Sequence, residues 1–267
     1  MRRAAVATAT AVGIVLAFAH PWSPGEWTSD NMVYLPHVSQ RQPRPAATAV
    51  PRPTYRPASA GALIDALTVP GALVLPEPGV YRLGRDARVA PGVTLNGRGG
   101  VEIRWHGLDM DGAAGAQVLG LALRDCAADC ISVTRAPGVL IQGVRVFAPS
   151  GDGLIDIIRT TGAVTLRDVD MIGPHPKCGL IGHQWVPADA GLTVLLERVT
   201  YTDCFERVPK VHRATVTLRD VTITRWRGDG IDVQLGGRVI LDGVTFEPGP
   251  KSHERWQTAS GGTVEVR

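Results

Sequence analysis

A repeat of about 23 residues constrains the fold of this chain more than any other feature of its sequence. Seven segments superimpose on one another. They start at Val93, Ala116, Val139, Val164, Val194, Val216 and Val239. In each segment an apolar alternation is followed by a polar or glycine pair, and the alternation then resumes. A repeat this short indicates a solenoid, in which each unit packs only against its two neighbours.

The pattern within one repeat predicts three short strands. Val164 and Leu166 alternate before the polar pair, and Val169 and Met171 alternate after it, which is typical of two strands that meet at a corner. A third apolar patch follows in several repeats. The chain is therefore predicted to be all-β, a parallel β-helix of seven to eight coils. A propeller blade needs roughly 40 residues and a leucine-rich repeat needs its Leu/Asn ladder, so neither class fits.

The ends of a solenoid need covering structures. Residues 59–67 predict a short helix with Ser59 as its N-cap, and this helix would cover the N-terminal end. Residues 251–267 are the candidate cover for the other end. The predicted β-helix domain therefore spans residues 59–267.

The first 58 residues predict export and a spacer. Residues 1–19 join a basic start, an apolar run and a closing Ala-Phe-Ala, which is typical of a signal peptide. An uncleaved membrane anchor is the alternative, although 16 apolar residues are few against the roughly 20 of a membrane span. Residues 20–58 are rich in proline and predict an extended linker, with an irregular segment packed on the domain as the alternative.

The distribution of charge bears on possible partners. The chain carries 28 basic and 25 acidic residues, but six of the bases and only two of the acids lie within the first 60 residues. The remainder is close to neutral, so no nucleic-acid partner is predicted. We expect a secreted, extracellular monomer, bound to a membrane only if the N-terminal segment stays uncleaved.

The cysteines leave two interpretations open. The chain contains four, Cys126, Cys130, Cys178 and Cys204. Export would permit two disulfides, whereas buried free thiols are the alternative. The sequence alone assigns no pairing, and the spacing matches no zinc site.

One position of every repeat is polar, namely position 13 when the first residue of the repeat is counted as position 0. The residues at this position are His106, Asp129, Asp152, Lys177, Arg207, Asp229 and Ser252. Equal positions in successive coils lie about 4.8 Å apart, so these side chains are predicted to form one outward column. The long spacing between Lys177 and Arg207 is assigned to an insertion at 183–191. A solvated strand edge with incidental charges is the alternative interpretation.

The carboxylates of this column predict a metal. Asp129 and Asp152 would stack as like charges, which is unfavourable without a cation, and Asp156 adds a third carboxylate nearby. Oxygen ligands without His or Cys favour Ca²⁺, and three carboxylates leave coordination positions open for water or a ligand. Beside Lys177 and Arg207, such a site suits an acidic polysaccharide.

Four segments carry a family resemblance. They read DCISV at 129–133, DGLID at 152–156, HPKCGLIG at 175–182 and DCFERVPKVH at 203–212. In this order they resemble the D-A-I-x-V, D-G-x-x-D, H-x-K-x-x-L-x-G and R-x-P-x-x-R motifs of the pectate lyases, polysaccharide lyase family 1. The resemblance runs from about Val93 to Val221 and implies a right-handed β-helix.

The resemblance also implies a reaction and the residues for it. The reaction would be Ca²⁺-dependent β-elimination on pectate, polygalacturonate or a related polyuronate. The metal ligands would be Asp129, Asp152 and Asp156. Lys177 would hold the uronate carboxylate and Arg207 would be the base, an unusual role because free arginine is almost always protonated. Lys210 or His212 would contact a further carboxylate.

The resemblance is incomplete, and other functions are therefore open. The second arginine of the family motif falls on His212, and the chain is short, with few long loops. A non-catalytic, calcium-dependent carbohydrate-binding β-helix is therefore the alternative. A β-helix polygalacturonase or uronan epimerase ranks lower, because only fragments of polygalacturonase motifs occur.

Overall fold

The structure is a computed structural model that describes residues 51–148 and 151–267. The predicted signal peptide or anchor and the linker up to residue 50 lie outside the described residues. No helix in the described ranges is long and apolar enough to cross a membrane.

Short strands wind into a right-handed parallel β-helix of about 9 turns, which confirms the predicted fold. In chain order the first strands are β1 (Thr54–Tyr55), β2 (Leu73–Val74), β3 (Gly79–Arg82), β4 (Ala87–Arg88), β5 (Thr94–Arg104), β6 (Leu108–Asp109), β7 (Gln117–Arg124) and β8 (Ile131–Thr134). The middle strands are β9 (Leu140–Gln142), β10 (Arg145–Phe147), β11 (Ile155–Ile158), β12 (Gly162–Arg167), β13 (Asp170–Lys177), β14 (Gly179–Ile181), β15 (Leu192–Glu197) and β16 (Thr200–Glu206). The last are β17 (Lys210–His212), β18 (Thr215–Arg219), β19 (Thr222–Thr224), β20 (Ile231–Gln234), β21 (Arg238–Asp242), β22 (Thr245–Glu247), β23 (Trp256–Thr258) and β24 (Thr263–Val266).

Each coil passes through three faces. The strands of the first and second faces form one 16-stranded sheet, because β5 and β7 run round the corner between those faces. The third face is a separate 8-stranded sheet in the order β4, β6, β8, β11, β14, β17, β20 and β23. Coils that begin at β2 and β24 extend the seven repeats at their two ends, so there are more turns than predicted.

Aliphatic columns fill the inside of the solenoid. The longest on the first face contains Leu95, Val118, Ile141, Leu166, Leu196, Leu218 and Leu241, each in register with the next. All seven are buried. Apolar residues at the same position of successive repeats therefore stack inside the molecule, and their burial explains the period of the sequence.

The chain turns from the third face to the first at a left-handed residue in seven successive coils. These residues have φ between 49° and 74° and are Gly112, Arg135, Arg159, Gly182, Arg213, Leu235 and Ser260. Non-glycine residues adopt this region only at an energetic cost, so the surrounding coils must hold the corner in place. Arg135 forms an ion pair with Asp111 of the preceding coil, which is one such contact.

The two ends of the solenoid differ. Helix α1 (Ala60–Leu67) packs over the first coil, and the Ser59 hydroxyl accepts a hydrogen bond from the Ala62 N–H at 3.3 Å, as predicted for an N-cap. Strand β1 pairs with β2, so residues 54–55 of the predicted linker add a strand to the large sheet before the coil that begins at β2. At the other end Trp226, Phe246 and Trp256 pack with successive ring centroids 5.9 Å apart.

Candidate functional site

The predicted site residues lie on the third face and on the turn that leads into it. Asp129 precedes β8, Asp156 lies in β11 and Lys177 ends β13. Arg207 lies between β16 and β17, and Lys210 begins β17. In the third face Asp156, Leu180, Lys210 and Asp232 are in register from coil to coil. The parallel stacking therefore brings residues that are far apart in sequence onto one surface.

Asp129 and Asp156 converge on Gly153. A Cβ atom on Gly153 would lie 2.7 Å from Asp129 Oδ1 and 3.1 Å from Asp156 Oδ1. Asp156 is 7% exposed, and its Oδ1 accepts a hydrogen bond from the Leu180 N–H at 3.2 Å. Asp129 Oδ1 is buried and has no hydrogen-bond partner. The glycine therefore leaves a cradle between two carboxylates, one of which lacks a donor.

Both carboxyl groups bind protons more tightly than usual. Burial, together with the nearby charge of Asp129, raises the pKa of Asp156 to about 7, although Arg207 opposes this shift. Burial and the charge of Asp152 raise the pKa of Asp129 to about 6, although Arg207 and Lys177 oppose this shift. Both shifts arise first from burial and then from the neighbouring carboxylates, whose charge the local cations only partly balance.

Asp152 has a different environment. It is exposed, and its Oδ1 accepts a hydrogen bond from the Lys177 ammonium group of the next coil. This contact lowers the pKa of Asp152. The predicted third metal ligand and the predicted substrate-binding lysine are therefore paired with each other.

The register around Arg207 corrects the predicted column by one residue. Lys177 pairs with Glu206, because β13 contains an irregularity between Ile172 and His175 that shifts its register with β16. Arg207 nevertheless reaches the carboxylate cluster, with Nη1 3.9 Å from Asp156 Oδ2. Asp229, which follows Arg207 in the predicted column, has its Oδ1 3.9 Å from His253 Nδ1.

The two remaining predicted residues are Lys210, which is paired with an acidic side chain, and His212, which is buried. Lys210 Nζ lies 2.8 Å from Asp232 Oδ2, so its charge is paired within the protein. His212 is only 4% exposed, and burial lowers the pKa of its imidazole. With the imidazole covered in this way, the contact between His212 and a polymer carboxylate stays a prediction.

The predicted insertion forms an anchored loop. It contains a 3₁₀ helix over Pro187–Gly191. Asp189 is fully buried and accepts hydrogen bonds from the Thr160 N–H at 2.9 Å and the His183 N–H at 2.7 Å. Burial raises the pKa of this carboxyl group. Trp185, on the same loop, is 77% exposed.

Disulfides flank the site. Cys126 bonds to Cys130 and Cys178 bonds to Cys204, and no free cysteine is present in the described ranges. Cys130 directly follows Asp129 and Cys178 directly follows Lys177. Of the two interpretations of the cysteines, the structure shows the disulfides.

Comparisons with known proteins identify the architecture. No protein-family model matches the chain, and no curated protein matches it in sequence. Three similar solved structures each cover 80% of this chain. Pectate lyase Bsp165PelA from Bacillus sp. N165, in complex with trigalacturonate, is 13% identical over 82% of its length, with a TM-score of 0.55. The cedar-pollen allergen Jun a 1 is 13% identical over 78% of its length, with a TM-score of 0.55.

The third structure is pectate lyase II from Xanthomonas campestris pv. campestris, 13% identical over 79% of its length, with a TM-score of 0.50. This chain has a pectate lyase-like β-helix fold. Identities this low establish the architecture alone, so the chemistry has to be argued from the residues of this chain.

Calcium fits these residues in part. The buried Asp129 Oδ1 without a donor and the Gly153 cradle suit a hard cation with carboxylate ligands. Across residues 51–148 and 151–267, however, no three His, Cys, Asp or Glu side chains stand close enough together to hold a metal ion. Two of the three predicted ligands, Asp129 and Asp156, converge on this cradle, and the third, Asp152, is hydrogen-bonded to Lys177.

Two residues of the site were not predicted. Gly153 creates the cradle, and its signal was its place inside the DGLID segment at 152–156. Asp232 neutralises Lys210, and its signal was the similar DGID segment at 229–232, interpreted only as a fragment of a polygalacturonase motif.

Proposed function

We propose that the chain is a secreted, calcium-dependent polysaccharide lyase that cleaves a polyuronate such as polygalacturonate by β-elimination. The observation that carries this proposal is the position of Arg207, 3.9 Å from Asp156 and beside the Asp129–Asp156 pair. The pectate lyase-like fold and the trigalacturonate bound to one structural neighbour support the substrate class.

Asp129 and Asp156 would hold the calcium ion, with Asp152 as a third ligand after it leaves Lys177. Bound calcium would withdraw charge from the uronate carboxylate and make the C5 proton more acidic. Once Asp152 has turned away, the Lys177 ammonium group is free to hydrogen-bond to the same uronate carboxylate. In that position it would stabilise the negative charge that develops as C5 loses its proton.

Arg207 would accept the C5 proton of the uronate. The electron pair of the C5–H bond becomes the C4–C5 double bond, the C4–O bond breaks, and the released oxygen takes a proton from water. Arg207 must be neutral to act as a base. Its Nη1 lies 3.9 Å from Asp156 Oδ2. We therefore expect Arg207 to act when the charge of Asp156 is engaged by another cation.

Secretion belongs to the same proposal. The predicted signal peptide lies outside the described residues, but the two disulfides support an oxidising compartment.

A non-catalytic, calcium-dependent carbohydrate-binding β-helix is the second candidate function. The observation that favours it is the burial of His212, which stands where the family motif has its second arginine. Lys210 is also neutralised by Asp232, so this site has fewer free cations than a column of exposed bases would have.

One assay separates the two candidates. The protein is incubated with polygalacturonate in calcium or in a chelator, and the ultraviolet absorbance of unsaturated products is followed. The proposal expects product only with calcium, and none from Arg207→Ala. Arg145→Ala is the matched control, because Arg145 is an exposed arginine on the second face. Polymer binding without product in both conditions would favour the binding module.

A further inference from the structure

A polar groove of about 470 Å³ continues from Arg207 toward the C-terminal coils of the third face. Its walls come from the coils that carry β17, β20 and β23. Arg207 stands at one end of the groove, so a sugar ring in the groove would neighbour a ring placed for proton removal. The composition of the groove therefore determines which sugar can bind next to the reacting one.

The groove has no excess of positive charge. Arg207 and Lys210 are its two basic residues, whereas Glu206, Asp229 and Asp232 are its three acidic residues. With His253 neutral, the lining has a formal charge of −1. A subsite for a free uronate carboxylate would be expected to have the opposite balance.

Lys210 is already neutralised by a buried partner. Its Nζ lies 2.8 Å from Asp232 Oδ2, and Gln234 Nε2 lies 3.0 Å from both oxygens of the same carboxylate. Asp232 is 7% exposed. A uronate carboxylate that competed for Lys210 would leave this buried charge without its cation, which is costly.

The remaining groups suit sugar hydroxyls. The Lys210–Asp232 pair and the amides of Gln234 and Gln257 offer both donors and acceptors without a net positive charge. We infer that the groove binds an uncharged sugar ring adjacent to the uronate that reacts at Arg207. This inference rests on the proposed function. Its substrate class is a polymer in which a free uronate adjoins a ring without a charged carboxylate.

An uncharged ring could come from two sources, which the substrates of one assay distinguish. The substrates are polygalacturonate, polygalacturonate about half methyl-esterified, and a rhamnogalacturonan backbone that alternates uronate with a neutral sugar. We expect kcat/KM on at least one of the last two to exceed that on polygalacturonate about tenfold. The preferred polymer identifies the source. The highest kcat/KM on polygalacturonate would overturn the inference.

Variants test whether the groove causes the preference. Asp232→Asn removes the partner of Lys210, and Gln257→Lys adds a cation at an exposed position that packing does not constrain. Both should shift the preference toward polygalacturonate by about tenfold. Asp242→Asn is the matched control, because it removes the same charge from the first face and should leave the preference unchanged. An unchanged preference in Gln257→Lys would contradict the inference even if Asp232→Asn failed to fold.

Failure of this inference is distinguishable from failure of the proposed function. Cleavage of all three polymers, with polygalacturonate preferred, overturns the inference and leaves the lyase proposal intact. If no polymer is cleaved, calorimetry with short oligosaccharides of the same three types measures the groove directly. Tighter binding of the oligosaccharides with uncharged rings would then support the groove and overturn the lyase. No binding of any oligosaccharide overturns both.

Discussion

Asp129 and Asp156, from adjacent coils, direct their Oδ1 atoms toward the space that a side chain on Gly153 would occupy. When both carboxylates are charged they repel each other, and burial weakens the solvation of each. The protein maintains this arrangement because parallel pairing fixes both backbones. A cation between the two carboxylates would relieve the repulsion, so we expect this pair to respond to metal.

Gly153→Ala should weaken calcium binding at least tenfold. The new Cβ would lie 2.7 Å from Asp129 Oδ1 and 3.1 Å from Asp156 Oδ1, so at least one carboxylate must move away. Calorimetric titration with calcium measures the change. Gly84→Ala is the control, because a Cβ there meets no atom within 4 Å and φ is not left-handed. Equal calcium affinity in the two variants would show that the ion binds elsewhere.

Calcium affinity should fall as the pH is lowered through 7 and 6. The pKa of Asp156 is about 7 and that of Asp129 is about 6, so protons compete with the metal in this range. For each proton that the ion displaces, the calcium affinity becomes about tenfold weaker with every pH unit below the pKa. Calorimetry at pH 5, 6, 7 and 8 tests this dependence. A pH-independent affinity would contradict the assignment of these two ligands.

Without calcium, the same groups predict the opposite trend for stability. Their pKa values are raised in the folded state, so folding binds protons. Their contribution to the free energy of unfolding is complete below their unfolded pKa, near 4, and is lost as the pH rises through 6 and 7. Melting temperatures in a chelator should therefore decline over this range. The Asp129→Asn, Asp156→Asn double variant should show a shallower decline.

Arg207→Lys should lower kcat by 10²-fold or more and change KM less than threefold. A positioned base contributes roughly 10²- to 10⁴-fold to a rate, and lysine cannot place its nitrogen where the guanidinium stands. Arg145→Lys, on an exposed pair with Asp170, is the matched control. Steady-state kinetics on polygalacturonate give both constants. A change confined to KM would indicate that Arg207 only binds substrate.

The two disulfides should contribute unequally to stability. Cys178 and Cys204 are 26 residues apart and Cys126 and Cys130 only 4, and the longer loop loses more entropy when it is closed. Removing the first pair by Cys-to-Ala changes should cost about 3.5 kcal/mol and removing the second about 2 kcal/mol. Denaturant unfolding of the two double variants compares these values. A larger loss from the short loop would point to a local role at Asp129 instead.

The fold could be predicted from the sequence because each coil repeats the same pattern of burial. Leu166, Leu196 and Leu218 recur at one repeat position, and in the structure they form one column. The site could be predicted only in part. A single extra residue in β13 moved Lys177 opposite Glu206, and repeat counting does not detect such an irregularity.

The burial of a side chain and its pairing with a residue of another coil also could not be predicted from the sequence. His212 ends a strand and directly follows the buried Val211, so alternation would place it outside, yet it is only 4% exposed. The partner of Lys210 depended on the register with the following coil, which brings Asp232 opposite it. Both properties arise from neighbouring coils rather than from the repeat that carries the residue.

Ion pairs at the corners of the coils affect how fast a charged polymer associates with the protein. Of the 28 basic residues 25 are arginines, and several of those at left-handed corners pair with an aspartate of the preceding coil. Examples are Arg198 with Asp168 and Arg225 with Asp203. Charges neutralised so locally produce little field beyond a Debye length, about 8 Å at physiological salt. An anionic polymer would therefore be captured on contact rather than attracted from afar, and its association rate should depend only weakly on ionic strength.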